Sequence, residues 1–226
     1  MIFRDRRDAG RRLAQRLSGH AGDDAVVLAL PRGGVPVGYE VARALGAPLD
    51  VFVVRKLGVP GRGELAMGAI ASGGVRVVNR DVVDGLGIPA HVIDRVAVEE
   101  EAELARREAA YRGFRLPLDV RDRTVVLVDD GLATGSSMRA ATHALRKRGP
   151  RRIVVAVPVA APATCEELRQ DVDAIVCAET PELFQAVGQF YEDFSQTSDD
   201  EVRGLLQDAW RAEPAGRGSR GGAERS

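Results

Sequence analysis

The chain is expected to fold as an α/β protein with a central, mostly parallel sheet flanked by helices. Three observations point there. Apolar, mostly β-branched runs recur at residues 26–30, 125–128 and 153–157, the composition of strands buried on both faces. The first two runs end in a Gly-containing turn. Apolar positions at helical spacing follow, so strand, turn and helix repeat in the order of βαβ units.

In chain order, the first helix is expected over residues 8–17, with Leu13 and Leu17 on its apolar side and Ser18-Gly19 ending it. Residues 26–30 form the first central strand. Pro31-Arg32-Gly33-Gly34 then makes a sharp turn. Its two glycines let the backbone approach an anion closely, and Arg32 supplies charge-assisted hydrogen bonds. An ordinary Gly-Gly turn is the alternative. A helix from about Pro36 to Leu45 follows, stopped by Gly46.

Residues 50–54 read as the next strand. It carries Arg55-Lys56 to its C-terminal end, where open α/β sheets place ligands. Residues 57–74 are rich in glycine and read as one long loop of the kind that serves as a lid. Residues 75–79 form a short strand. Residues 90–112 then form one long charged helix. Its Glu103 and Arg107 are four apart and support each other on a solvated face. That helix is a candidate cap over a site or an oligomer contact.

Further strands are expected at residues 153–157 and 174–177, with a helix around residues 163–170 between them. Aromatic residues then gather at Phe184, Phe190, Tyr191 and Phe194. Val187, Tyr191 and Phe194 are spaced like one helical face, which reads as core packing. Ser198 is placed to cap a last helix. From Glu213 the tail lacks core formers and is expected to be disordered.

The bulk numbers exclude several classes. With 226 residues, 45% apolar and 29% charged, the chain has the make-up of a globular protein with one substantial core. The net charge of −1 gives no field that favours nucleic acid or an anionic membrane. No apolar run approaches ~18 residues, and the N-terminus lacks the apolar core of a secretion signal. The expected location is the cytoplasm. Cys165 and Cys177 show neither metal-ligand spacing nor a disulfide framework, and read as buried or idle thiols.

The most informative stretch is residues 125–137, Val-Val-Leu-Val-Asp-Asp-Gly-Leu-Ala-Thr-Gly-Ser-Ser. A buried strand runs into a polar turn that opens a helix, and helix N-termini bind phosphate through unpaired N–H groups. Asp129-Asp130 at the strand tip would repel a phosphate unless something lies between. A ribose fits: its hydroxyls donate to the carboxylates while its phosphate sits in the loop.

This stretch resembles the phosphoribosyl pyrophosphate (PRPP) signature of the type I phosphoribosyltransferases. By position, the resemblance implies that Asp129 and Asp130 hold the ribose 2- and 3-hydroxyls. Ala133, Thr134, Gly135, Ser136 and Ser137 would wrap the 5-phosphate. The turn Pro31-Arg32-Gly33-Gly34 resembles the family's pyrophosphate loop, which often carries a cis non-proline peptide, here at Pro31-Arg32 or nearby. Arg55 and Lys56 would meet the pyrophosphate end, with Arg32 and Lys56 stabilising the departing charge. Residues 57–74 stand where the family has a flexible catalytic loop. Mg²⁺ is the expected cofactor, touched through water by Asp129 or Asp130. The core of the resemblance spans about residues 26–177. A hood at about 180–212 would stack an acceptor on Phe190 or Tyr191, all within one domain over residues 1–212.

Departures from the subfamilies leave the acceptor open. The 6-oxopurine enzymes usually carry Asp where this chain has Ala133. Leu132-Ala133-Thr134-Gly135 looks more like the uracil enzymes, which commonly have Pro where this chain has Asp130. As a whole the chain resembles the uncharacterised bacterial group of predicted phosphoribosyltransferases. The resemblance implies small-molecule substrates and a homo-oligomer, with a dimer favoured. A non-catalytic PRPP or nucleotide sensor on the same fold is the second reading.

Overall fold

The computed structural model describes residues 2–22 and 24–212, so the expected tail at 213–226 lies outside the described residues. Five strands, β1 (Val26–Ala29), β2 (Leu49–Val51), β6 (Thr124–Val128), β7 (Arg152–Val159) and β8 (Ala174–Glu179), form one sheet in the order β2-β1-β6-β7-β8. Every pairing in it is parallel. Strands that pair this way need crossovers, and helices supply them. Successive side chains face opposite sides, so one sheet builds two cores. Val27, Ala29, Val126 and Val128 pack with α1 (Arg6–Arg16), α2 (Gly34–Leu45) and α7 (Asp199–Ala212). Val26, Leu28, Val125 and Leu127 pack with α5 (Ser136–Arg146) and α6 (Pro162–Leu168).

The helix boundaries have local causes. Helix α1 begins two residues before the expected start because Asp5 caps it, its side chain accepting from the Asp8 N–H at 2.7 Å. Gly46 ends α2 in the left-handed region at φ 60°. Ser198 opens α7 as expected, its Oγ accepting from the Glu201 N–H.

The structure overturns the expected long loop at 57–74. Strands β3 (Val54–Val59), β4 (Arg62–Ala71) and β5 (Val75–Val78) form a separate antiparallel sheet in that order. The glycine content misled. Gly68 is an interior strand residue whose Cβ would overlap the Val77 carbonyl oxygen, so glycine there marks a close strand approach. Leu57 and Met67 are fully buried on the core side. The expected single strand at 50–54 is also divided. Residues 49–51 belong to the parallel sheet, and Arg55-Lys56 stand in the hairpin instead of at a strand end.

Helix α4 (Ala90–Arg112) forms at the expected length and is more than a solvated face. Ile93, Ala97 and Leu104 are buried. At its C-terminal end Arg112 makes a buried ion pair with Asp50 at 2.8 Å and donates to the Val51 carbonyl, which ties the helix to the sheet edge. The Tyr111 hydroxyl donates to Asp199 at the start of α7. After α3 (Arg80–Gly85) and these helices, the expected helical face at 187–194 is absent. Val187–Phe190 is a single 3-10 turn and Tyr191 is extended, pairing with Phe3 in a parallel bridge. The cause is tertiary: the Phe3 N–H donates to the Phe190 carbonyl, and the Glu192 N–H to the Phe3 carbonyl.

Candidate active site

The site lies at the carboxyl end of β6, where Asp129 and Asp130 leave the sheet. Burial, and the charge of its neighbour, hold the Asp129 carboxyl well above the ordinary carboxylate range. Burial raises Asp130 too, with Arg6 pulling in the opposite direction.

The turn after β1 packs against the pair, and the loop that follows the pair leads on to α5. The peptide bond Pro31-Arg32 is cis, at the position the resemblance pointed to. Gly33 and Gly34 lie against the acids. A Cβ on Gly33 would overlap Asp130 Oδ2, and one on Gly34 would stand 2.8 Å from the Val128 carbonyl oxygen. Glycine is therefore required by closeness and not by a positive φ, since Gly33 has φ −59°. Arg32 is half-buried, and its side chain has no hydrogen-bond or ion-pair partner among the described residues, so its guanidinium is uncommitted.

On the other side, residues 133–137 lead into α5. Gly135 adopts φ 66°, a conformation only glycine takes easily. Ala133, Thr134, Ser136 and Ser137 are exposed, and the Thr134 and Ser136 hydroxyls lie 3.1 Å apart. Helix α6 braces this loop from behind: the Thr164 hydroxyl donates to the Ala133 carbonyl at 2.6 Å.

The basic pair splits by the alternation of its strand. Lys56 Nζ reaches Ser136 Oγ at 2.8 Å and so joins the 133–137 loop. Arg55 points to α4, where Glu100 holds its guanidinium at 2.6 Å. The aromatic residues also divide. Tyr191 is buried, packs against the rings of Phe3 and Phe194, and donates its hydroxyl to the Asp130 carbonyl at 2.6 Å. Phe190 stacks on Phe184 with centroids 5.5 Å apart.

Sequence reasoning missed Arg6. Its Nε donates to Asp130 Oδ2 at 2.8 Å, its Nη1 donates to the Ser195 carbonyl at 2.7 Å, and its guanidinium lies 4.0 Å from the Phe194 ring centroid. The six arginines in residues 4–16 drew no attention because nothing local distinguishes this one.

The comparisons with known proteins agree with this geometry. The family model of the phosphoribosyl transferase domain matches residues 3–195. A Mycobacterium tuberculosis protein provisionally named a phosphoribosyl transferase, Rv0571c, is 50% identical over 210 residues, 93% of this chain and 47% of that protein. The chain thus spans about half the length of that relative. A uracil phosphoribosyltransferase of Lactobacillus gasseri is 32% identical over 173 residues, 74% of this chain and 80% of that protein. Among solved structures, TT1426 from Thermus thermophilus superposes with a TM-score of 0.84 at 44% identity, covering 92% of this chain and 99% of that one. With the parallel sheet, the two glycine turns and the acid pair between them, the match over residues 3–195 settles the kinship: the chain belongs to the phosphoribosyl transferase family.

Proposed function

We propose that this chain is a phosphoribosyltransferase that uses PRPP with Mg²⁺ as donor, transfers the 5-phosphoribosyl group to a base or other small nucleophile, and releases pyrophosphate. One observation carries the reading: the turn at 31–34 packs against a half-buried acid pair whose strand runs directly on into the loop at 133–137 and the N-terminus of α5. An anion-binding segment stands on each side for the two charged ends of the donor. The carboxylates stand between them for the ribose.

In the transfer, the bond from the ribose C1 to the pyrophosphate oxygen breaks and a bond from C1 to the acceptor forms. Positive charge develops on the sugar while the leaving group gains negative charge. Asp129 and Asp130 accept from the ribose hydroxyls and hold the ring. The N-terminus of α5, with Thr134, Gly135, Ser136 and Ser137, takes the 5-phosphate. The uncommitted Arg32, with Gly33 and Gly34, faces the pyrophosphate, and Lys56 adds charge from the hairpin. Arg55 reaches the donor only by leaving Glu100, so Lys56 carries the role first expected of the pair.

The donor set suits a magnesium ion. Asp129 and Asp130 offer carboxylate oxygens, and among the described residues no group of three or more His, Cys, Asp or Glu could cage a metal. That matches an ion that rides on phosphates and keeps its waters, supplying neutralising charge to the leaving group.

On the acceptor side, Tyr191 acts by holding Asp130. Phe190, half-buried beside Phe184, is the ring offered to a planar acceptor. The relative named a uracil phosphoribosyltransferase makes pyrimidines the first acceptors to try. The working assembly in this reading is a cytoplasmic homodimer.

The test is calorimetric titration of PRPP with Mg²⁺ into the wild type and into Asp129→Asn/Asp130→Asn, followed by a pyrophosphate-release screen over bases. Binding by the wild type alone, with release that depends on one acceptor, supports the reading. Binding without release for any acceptor moves the assignment to a PRPP sensor. No binding by the wild type overturns it.

A further inference from the structure

Asp130 is held by more than its own strand. Three segments far apart in sequence meet on it. The turn at 31–34 presses Gly33 against its carboxylate. Tyr191 donates to its backbone carbonyl at 2.6 Å. Arg6, from the first turn of α1, donates to its Oδ2 at 2.8 Å.

The Arg6 contact is unlike the other arginine pairs at the N-terminal end of the described chain. Arg4, Arg7, Arg11 and Arg12 meet Asp8 or Glu40 with side chains 36–68% exposed, whereas the Arg6 side chain is 12% exposed and its partner 16%. The Arg6 guanidinium makes three contacts at once. Nε holds Asp130, Nη1 holds the Ser195 carbonyl, and the plane covers Phe194. Arg6 therefore joins the carboxylate that faces the donor to the segment that overhangs it. Stability alone does not call for this arrangement. A largely buried ion pair adds little over apolar packing, and the hydrogen bond from the Tyr191 hydroxyl to the Asp130 carbonyl already fastens the same two segments.

We propose that Arg6 is a positioning residue of the donor site: it takes one oxygen of Asp130 and turns the other toward a ribose hydroxyl. This rests on the PRPP reading above. A fixed carboxylate is worth more to a hydroxyl than a mobile one, because the orientation is set before binding. A site built to hydrogen-bond a hydroxyl also rejects the analogue that lacks it. Arg6 should thus govern how strongly the protein distinguishes ribose from deoxyribose, and should not affect the binding of pyrophosphate alone.

The experiment compares wild type, Arg6→Met, Arg6→Lys and the exposed control Arg16→Met by calorimetry and thermal melting. The ligands are PRPP with Mg²⁺, ribose 5-phosphate, its 2-deoxy and 3-deoxy analogues, and pyrophosphate. The expected wild-type result is tight PRPP binding and a preference of about tenfold or more for ribose 5-phosphate over at least one deoxy analogue. Arg6→Met should weaken PRPP by a comparable factor and flatten that preference, while pyrophosphate binds as before. Arg6→Lys keeps the charge without the forked geometry and should recover part of the preference. Arg16→Met should match wild type. If Arg6→Met does not fold, Arg6→Lys decides, because an undiminished ribose preference there overturns the role. A folded Arg6→Met with wild-type preference also overturns it and leaves the PRPP reading standing. A wild type that binds no PRPP removes both.

Discussion

Gly33 has no room for a side chain because of Asp130: a Cβ there would overlap Oδ2 and stand 3.2 Å from Arg6 Nε. The turn at 31–34 and the acid pair are therefore one packed unit. Gly33→Ala should displace the carboxylate and weaken PRPP binding by about tenfold or more, roughly 1.4 kcal/mol. Gly85→Ala, with open space around it, is the matched control. Calorimetry on both variants checks this, and equal binding by Gly33→Ala would show that the turn yields freely.

The buried pair of Asp50 and Arg112 holds α4 on the sheet edge. Asp50 accepts from Arg112 Nε at 2.8 Å and from the Leu118 N–H at 3.1 Å. Arg112→Met leaves a buried carboxylate without its cation and should cost about 3–5 kcal/mol in urea unfolding. The double variant Asp50→Leu/Arg112→Leu should cost clearly less than the sum of its two singles. Additive losses would mean that the two residues act separately.

Tyr111 gives stability a pH-dependent limb. Burial and the hydrogen bond to Asp199 push its hydroxyl from the ordinary 10 up to about 12. The folded state keeps this proton while the unfolded state loses it. The contribution is therefore complete below pH 10 and is lost between pH 10 and 12. Tyr111→Phe should reduce the slope of stability against pH in that window by up to about 1.4 kcal/mol per pH unit. Tyr191, raised further by burial, keeps a residual slope in the variant. An unchanged slope would contradict the assignment.

Cys165 and Cys177 do not stand alone as their spacing suggested: their sulfurs lie 2.8 Å apart, across α6 and β8. The contact lowers the Cys165 thiol's pKa, which favours the nucleophilic thiolate. Glutathione disulfide should take two electrons from the pair and leave an intramolecular disulfide plus two glutathione thiols. The protein should lose both titratable thiols and two hydrogen masses. Cys177→Ser should stop at a mixed disulfide. Persistence of both thiols in wild type under the same treatment would refute this.

Local chemistry made much of this protein legible before any coordinates. The strand Thr124–Val128, the acid pair and the loop to Ser136 are contiguous, so a buried strand, two carboxylates and a helix N-terminus had to fall at one place. The glycine turn after β1 was legible for the same reason. Contiguity also misled. Glycines at 57–74 read as a loop, because the carbonyl of Val77 that makes glycine necessary at position 68 belongs to another strand. Aromatic spacing at 187–194 read as a helix, because the strand-like partner of Tyr191 is Phe3 at the other end of the chain.

The sequence by itself determined the strands of the parallel sheet, most of its helices and the two glycine-containing turns, since each depends on neighbours within a few residues. Only the tertiary structure decided which charges serve the site. It turned Lys56 toward Ser136 and Arg55 toward Glu100 by the alternation of a strand in a hairpin. It brought Arg6 to Asp130 across 124 positions of chain. No periodicity or spacing records such a contact, because it exists only once the sheet has placed α1 and the carboxyl end of β6 side by side.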